Sequence, residues 1–386
     1  MQIRPFTVSV PERDLEDLSA RIARTRWPEP ATAPGFTQGV PLPVMREVAA
    51  YWQEGYDWRR LEAELAAIPQ HIARVDGLDI HLVHARSSRT DAVPLVLTHG
   101  WPGSFLEFLD VLPLLTDPPD RGRAFHVVIP SLPGYGFSGR PEHAGWGIER
   151  IAAAWLTLMD GLGYERFVAA GGDWGTSIST MIAAQAPHRV LGLHLTPPLV
   201  APDPATLADP TDEERAALDA LERSAEGSAY SALHASRPQT LGYLLLDSPV
   251  GQAAWILEKF AAWSDIRPGE TLFDVIARDR VLDDITLYWL TGTGASSTRL
   301  YAESIETVSG WFREGTDDRI DVPLGAAVYR DTPAPSRRWA ERRFPDIRYW
   351  SRPERGGHFA ALEQPRIYAR ELRASVDAIL GRRATG

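Results

Sequence analysis

Cysteine and asparagine are both missing from the 386 residues, and Lys259 is the only lysine. Without cysteine, disulfides, thiolate metal sites and thiol nucleophiles are excluded, and the redox compartment is left open. Without asparagine there is no N-glycosylation acceptor. No apolar run approaches the roughly 20 residues of a membrane span. The stretch Met1–Leu18 carries no apolar segment of signal-peptide length. These absences predict a soluble, cytoplasmic protein with no membrane partner. Basic charge is short too: 40 Lys and Arg stand against 51 Asp and Glu, for a net charge of −11. A surface that neutralises phosphates needs clustered cations, so no nucleic-acid partner is expected. Repeats and low-complexity tracts are absent. The heavy use of arginine over lysine reads as the coding bias of a GC-rich bacterial genome.

What is present is ordinary globular material, 44% hydrophobic and 24% charged, long enough for one large α/β domain with insertions. Apolar periodicity predicts helices over Pro11–Thr25, Leu42–Trp52 and Trp58–Ile68. Ile72–Val75 and Leu78–His84 flank Asp76-Gly77 and read as a hairpin. Short apolar runs then alternate with helical stretches: strands at Pro94–Thr98, Phe125–Ile129, Phe167–Ala170 and Val190–Leu195, helices at Ser104–Leu115, Ile151–Leu162 and Thr176–Ala186. Strands buried on both faces and joined by helices make a parallel sheet. Residues 200–320 break the rhythm and read as a helical lid. Strands resume at Leu324–Tyr329 and Ile347–Tyr349, and Ile367–Leu380 closes with a helix. The expected layout is an extension over 1–90, a core over 91–199 and 321–386, and a lid over 200–320. Ligands bind at the carboxyl ends of such strands.

The chemistry is carried by Gly171-Gly172-Asp173-Trp174-Gly175, between a strand and a helix. This is the small-x-nucleophile-x-small spacing of a nucleophile elbow, with Asp where an esterase has Ser. A carboxylate is already ionised at neutral pH, and its attack on an electrophilic sp³ carbon gives an alkyl ester. An epoxide or a carbon bearing halogen suits it. The pentapeptide alone fits equally an Asp capping a helix after a glycine turn. Upstream, His99-Gly100-Trp101-Pro102-Gly103 follows a strand, where its turn can aim the Trp101 amide at the nucleophile. With the amide of Trp174 it would form an oxyanion hole. Downstream, Arg355-Gly-Gly-His358 lies past the last strand, where a histidine can activate water. The orienting acid is assigned to Asp331, at the end of Pro323–Asp331; Asp317, Asp318, Asp346 and Glu354 compete for the role.

Two patterns are decoys. Gly134-Tyr-Gly-Phe-Ser-Gly139 satisfies a dinucleotide fingerprint, but no helix follows it. It is expected to line the site near the oxyanion turn. His81 and His84 suggest a metal, yet on a strand they point to opposite faces. Neither metal nor cofactor is expected.

Across nearly the whole chain the sequence resembles the microsomal-type epoxide hydrolases. The likeness rests on Met45–Trp52, Tyr56–Arg59, Gly77–His81, His99–Phe108, Leu132–Ser138, Gly172–Gly175, Asp247–Gly251, Leu257–Phe260, Leu287–Trp289 and Gly356–Glu363. It implies the α/β-hydrolase fold, here with an eight-stranded, mostly parallel sheet. It also implies cofactor-free opening of a small-molecule epoxide to a vicinal diol, with the triad carried over to Asp173, Asp331 and His358. Two lid tyrosines that hydrogen-bond the epoxide oxygen in that family correspond to Tyr230 and Tyr301. The chain departs from the mammalian members in lacking an N-terminal membrane anchor, and natural-product or xenobiotic metabolism are both compatible roles. A homo-oligomer is compatible as well. The rival readings are a haloalkane dehalogenase, which shares the Asp nucleophile and the His-Gly-x-Pro turn, and an inactive hydrolase fold that only binds. The first lacks asparagine, one of its halide donors, although a second Trp could serve, and the tyrosine donors and the whole-chain resemblance favour the epoxide. The second is weakened because a binding protein has no need of five such residues.

Overall fold

A computed structural model describes residues 1–120, 122–312, 318–330 and 334–381, the side chains of 223–227 excepted. Its strands are β1 (Ile3–Phe6), β2 (Gln70–Val75), β3 (Leu78–Ala85), β4 (Val93–Thr98), β5 (Phe125–Pro130), β6 (Phe167–Gly172), β7 (Val190–Thr196), β8 (Leu324–Ala327) and β9 (Ile347–Ser351). They form one nine-stranded sheet in the order β1-β2-β3-β5-β4-β6-β7-β8-β9. From β5 to β9 every neighbouring pair is parallel. The other three pairings are antiparallel. Asp76 and Gly77 take φ of +48° and +77° in the β2–β3 turn, the geometry for which an Asp-Gly pair is suited.

The sequence reading had eight strands; the ninth is β1. Its four residues, Ile-Arg-Pro-Phe, have no alternating pattern and contain a proline. Proline has no N–H to donate to a ladder, so such a segment survives only at an edge, which is where β1 lies, beside β2. The expected helix over Ser104–Leu115 is also divided, into a 3-10 turn at Phe105–Phe108 and a helix at Leu112–Thr116. Pro113 falls in the first turn of the second piece, the one helical position where its missing N–H costs little.

The central strands are apolar on both faces because both faces are covered. Val96 of β4 and Phe167 and Ala169 of β6 join one core cluster. Leu95, Leu97, Val168 and Ala170 join the other. This is the period-two alternation of a strand, split between two cores.

Between β7 and β8 runs a helical block from Asp212–Gly227 to Gly294–Gly310. The N-terminal helices hold it in place. Trp52 Nε1 donates to Thr286 Oγ1 over 2.9 Å, and the Tyr56 hydroxyl donates to Asp283 over 2.8 Å. Helix Trp58–Ala66 is capped by Asp57, whose side chain accepts from the Arg59 amide. Its buried residues Trp58, Leu61 and Leu65 lie on one face, each worth about 1.5–3 kcal/mol of burial. Among the described residues no helix is long and apolar enough to cross a membrane.

Candidate active site

Strand β6 ends at Gly172 and the helix Trp174–Gln185 begins two residues later, so Asp173 occupies the turn between them. Its φ of 52° and ψ of −128° are rare for a residue with a side chain, a strain of about 1–3 kcal/mol that the surroundings must hold. The flanking glycines explain how. A Cβ on Gly171 would lie 2.5 Å from the backbone of Gly175, and one on Gly175 would lie 1.9 Å from the carbonyl oxygen of Thr98. The elbow therefore packs directly on the end of β4, and only glycine permits that approach.

The oxyanion turn meets the carboxylate from the β4 side. The Trp101 amide donates to Asp173 Oδ1 over 2.9 Å. A Cβ on Gly100 would stand 2.1 Å from the same oxygen. The turn is fixed by His99, whose Nε2 accepts from the Leu132 amide; its Nδ1 therefore carries the proton and donates to the Gly100 carbonyl. Burial pushes the His99 pKa down to about 4, which keeps the ring neutral and suited to this shaping role. Trp174 contributes the first residue of the helix after Asp173, so its amide sits at a helix N-terminus, a favourable place for an oxyanion.

His358 approaches the other carboxylate oxygen, with Nε2 3.4 Å from Asp173 Oδ2. Its loop is bound through the backbone. The His358 amide donates to the Trp263 carbonyl, and the Arg330 amide to the Gly356 carbonyl. Two acids that the sequence reading gave no role brace this loop. Glu363 accepts from the amides of Asp265, Gly357 and Phe359 over 2.8, 2.9 and 3.0 Å. Buried Asp265 accepts from the Gly356 amide and from Arg330 and Arg355. Glu363 closes the Gly356–Glu363 segment, whereas Asp265 lies in the helical block with no sequence pattern around it.

Asp331 and Asp317 lie outside the described residues. Of the other candidate acids, Asp318 is engaged by Arg343 and Asp346 by Arg348, and Glu354 is exposed. Asp318 and Asp346 thus face arginines, and among the described residues no contact of Glu354 with His358 is seen.

The helical block supplies the roof. Tyr301 is buried, edge-on to Trp174 with ring centres 4.8 Å apart. Tyr230 is half-buried and stacks on Trp101 at 5.3 Å. The two phenol rings are 5.9 Å apart, and their side chains are hydrogen-bonded. Burial, then the neighbouring Tyr230 and Asp173, hold the Tyr301 pKa well above the usual phenol value. It is thus a protonated donor at any ordinary pH. His234 fills the space behind, edge-on to Trp101 and Tyr301, with its pKa lowered to about 3 by burial and by Lys259. The one lysine places its ammonium 4.4 Å above the Tyr230 ring and 5.7 Å from that of Trp263.

Asp173, His358, Tyr230 and Tyr301 all line one cavity of about 780 Å³, within the range of small-molecule sites. Leu199, Val200, Ile305, Val308 and Trp339 belong to its apolar wall. The decoy motifs resolve into structural parts. The Gly134–Gly139 loop braces the helix carrying Tyr301 rather than the oxyanion turn alone: Ser296 Oγ donates to Gly134 O and the Tyr135 hydroxyl to Ser297 O. His81 is bound by Ser131 and Gln70, and His84 by Tyr164.

Residues 3–108 match the family described as Epoxide hydrolase N terminus, and residues 93–242 match the alpha/beta hydrolase fold. A Stigmatella aurantiaca protein assigned as an epoxide hydrolase is 47% identical, across 96% of this chain and 84% of its own. Epoxide hydrolase 1 of Sus scrofa is 35% identical, across 96% of this chain and 88% of its own. The crystal structure of juvenile hormone epoxide hydrolase from the silkworm Bombyx mori superposes with a TM-score of 0.90 at 29% identity, covering 98% of this chain and 95% of that one. Taken with the elbow, its amide partner and the roofed cavity, these likenesses place the chain in the epoxide hydrolase family, on the α/β-hydrolase fold.

Proposed function

We propose that the enzyme opens its epoxide through a covalent ester on Asp173. One observation carries this reading: the two oxygens of Asp173 have different partners, Oδ1 the Trp101 amide and Oδ2 the imidazole of His358. Oδ2 attacks an epoxide carbon, the C–O bond breaks, and the alkoxide takes its proton from the paired phenols of Tyr230 and Tyr301. His358 then removes a proton from water as the water oxygen adds to Cγ of Asp173. The negative charge gathers on Oδ1, facing the Trp101 amide, with the Trp174 amide as second donor. Collapse releases the diol, which takes the proton back from His358, and leaves Asp173 as the neutral acid; Asp173 then loses that proton and the tyrosinate regains one, exchanged through solvent. Each of these donors acts where charge develops in the transition state, which is where a fixed hydrogen bond contributes most to rate.

Asp331 is the acid proposed to orient His358. Its chain neighbour Arg330 supports this, because the Arg330 amide is bonded to Gly356, two residues before the base. The helical block over 200–320 acts as the lid, with 1–90 as its anchor. The size and apolar wall of the cavity suit a bulky epoxide with little charge. A cytoplasmic location belongs to the same reading, and cell fractionation tests it.

The test is to trap the ester. Wild type and His358→Gln are mixed with styrene oxide, quenched with acid within a turnover and digested. The expected result is a peptide containing Asp173 heavier by one epoxide, transient in wild type and lasting in His358→Gln. An unmodified Asp173 peptide in both contradicts the reading.

A further inference from the structure

Behind Asp173, on the side away from the lid, is a second and much smaller cavity of about 20 Å³. That is room for roughly one water molecule. Asp173, His358, Gly172, Thr196, Trp101 and Glu107 line it. Glu107 comes from the 3-10 turn Phe105–Phe108 that follows the oxyanion turn. The turn is held by Ser104, whose hydroxyl donates to buried Asp284 over 2.6 Å, and by the Tyr288 hydroxyl on the Gly103 carbonyl. The Glu107 carboxyl lies against Gly103: a Cβ there would sit 1.4 Å from Oε1. Gly103 is therefore the residue that lets this carboxyl reach forward.

None of the described residues shares a hydrogen bond with the Glu107 carboxyl. A polar group in such a place needs a partner, and the cavity has space for a water that also faces Asp173 and His358. Burial, and the charges of Asp284 and Asp173, keep its pKa well above the carboxylate range despite His358 nearby. A neutral acid adds no second negative charge beside the nucleophile. It still offers a carbonyl oxygen as acceptor.

We propose that Glu107 positions the hydrolytic water of the second half-reaction. The water donates one hydrogen bond to the Glu107 carbonyl oxygen and the other to His358 Nε2, leaving a lone pair aimed at Cγ of Asp173. As the water oxygen bonds to Cγ, its proton passes to His358; Glu107 gains and loses none. Glu107 is a positioning residue for the water, and it has no part in opening the epoxide. This rests on the Asp173 ester mechanism above.

Rapid-quench kinetics with styrene oxide separate the two halves, reading ester formation and ester decay on the Asp173 peptide. Glu107→Leu, which removes the acceptor at similar size, is expected to form ester within about threefold of the wild-type rate. It should decay it about 10²-fold more slowly, so that ester accumulates. Glu107→Gln keeps an acceptor oxygen and is expected to recover at least tenfold of that loss. Glu107→Met replaces the leucine variant if the latter does not fold. Three outcomes overturn the inference while leaving the ester mechanism standing: unchanged decay in the apolar variant, an equal loss in both halves, or glutamine as slow as leucine. Absence of ester in wild type overturns both.

Discussion

The Trp101 amide and Oδ1 of Asp173 are 2.9 Å apart, a bond made by a residue 72 positions away in the chain. In the proposed mechanism it decides which oxygen attacks and which one carries charge later. Because Gly100 is what allows that approach, Gly100→Ala should turn the carboxylate out of line. Its Cβ would fall 2.1 Å from Oδ1. Turnover is expected to drop about 10²-fold or more, with little change in Tm, since a side chain gives way. Gly175→Ala should behave differently. Its Cβ would meet main chain of β4 at 1.9 Å, and a large fall in Tm is expected. Steady-state assays and thermal denaturation of the two variants check both, and wild-type turnover in Gly100→Ala would refute the first.

The phenols should matter to ester formation only. Tyr301→Phe and Tyr230→Phe are each expected to slow it by about 10–10³-fold, with the double variant slower than either, because removing a positioned proton donor costs on this order. Ester decay, which does not use them, should be unchanged. The raised pKa of Tyr301 adds a sign. The phenol stays protonated as pH rises through 10, so ester formation should show no loss there from its ionisation. A fall in rate below pH 9 that vanishes in Tyr301→Phe would contradict this.

Asp331→Asn should leave ester formation intact and slow decay by about 10²–10⁴-fold. Asp265→Asn serves as the contrast. Asp265 holds the loop through the Gly356 amide and two arginines, so losing its charge should lower Tm as well as slow both halves. If Asp331→Asn decays its ester normally, another acid holds His358.

Buried Asp284 has its pKa raised to about 8, by burial first and then by Asp283, against the Ser104 hydrogen bond. An acid whose folded pKa lies above its unfolded value binds more protons when folded. The contribution of Asp284 to stability therefore falls as pH rises from about 4 to about 8. Asp284→Asn keeps the acceptor for Ser104 and does not titrate. Its stability relative to wild type should climb across that window and level off above it. Denaturant midpoints at pH 5, 7 and 9 check this, and a constant difference would refute it.

The parallel core was legible because its strands are apolar on both faces and so stand out from amphipathic helices. The elbow was legible because glycine is forced at Gly171 and Gly175 by contacts closer than a Cβ permits. Strand β1 was not, since an edge strand of four residues with Pro5 carries no pattern. Glu107, Asp265 and Glu363 were missed as participants for a different reason. Their importance lies in what they face: a cavity wall for Glu107, backbone amides for the other two. The contacts that join Asp265 to the His358 loop bridge distant parts of the chain and leave no local trace. Asp331 stands out by its place after a strand, and the bond from the neighbouring Arg330 amide to Gly356 adds to that pattern.

The most direct test is a single turnover of styrene oxide in ¹⁸O-water with enzyme in excess. The account predicts a diol whose new oxygen is unlabelled, because it comes from Asp173, with the label left in the Asp173 carboxylate. A labelled diol would mean that water attacks the epoxide directly, and would contradict the covalent mechanism.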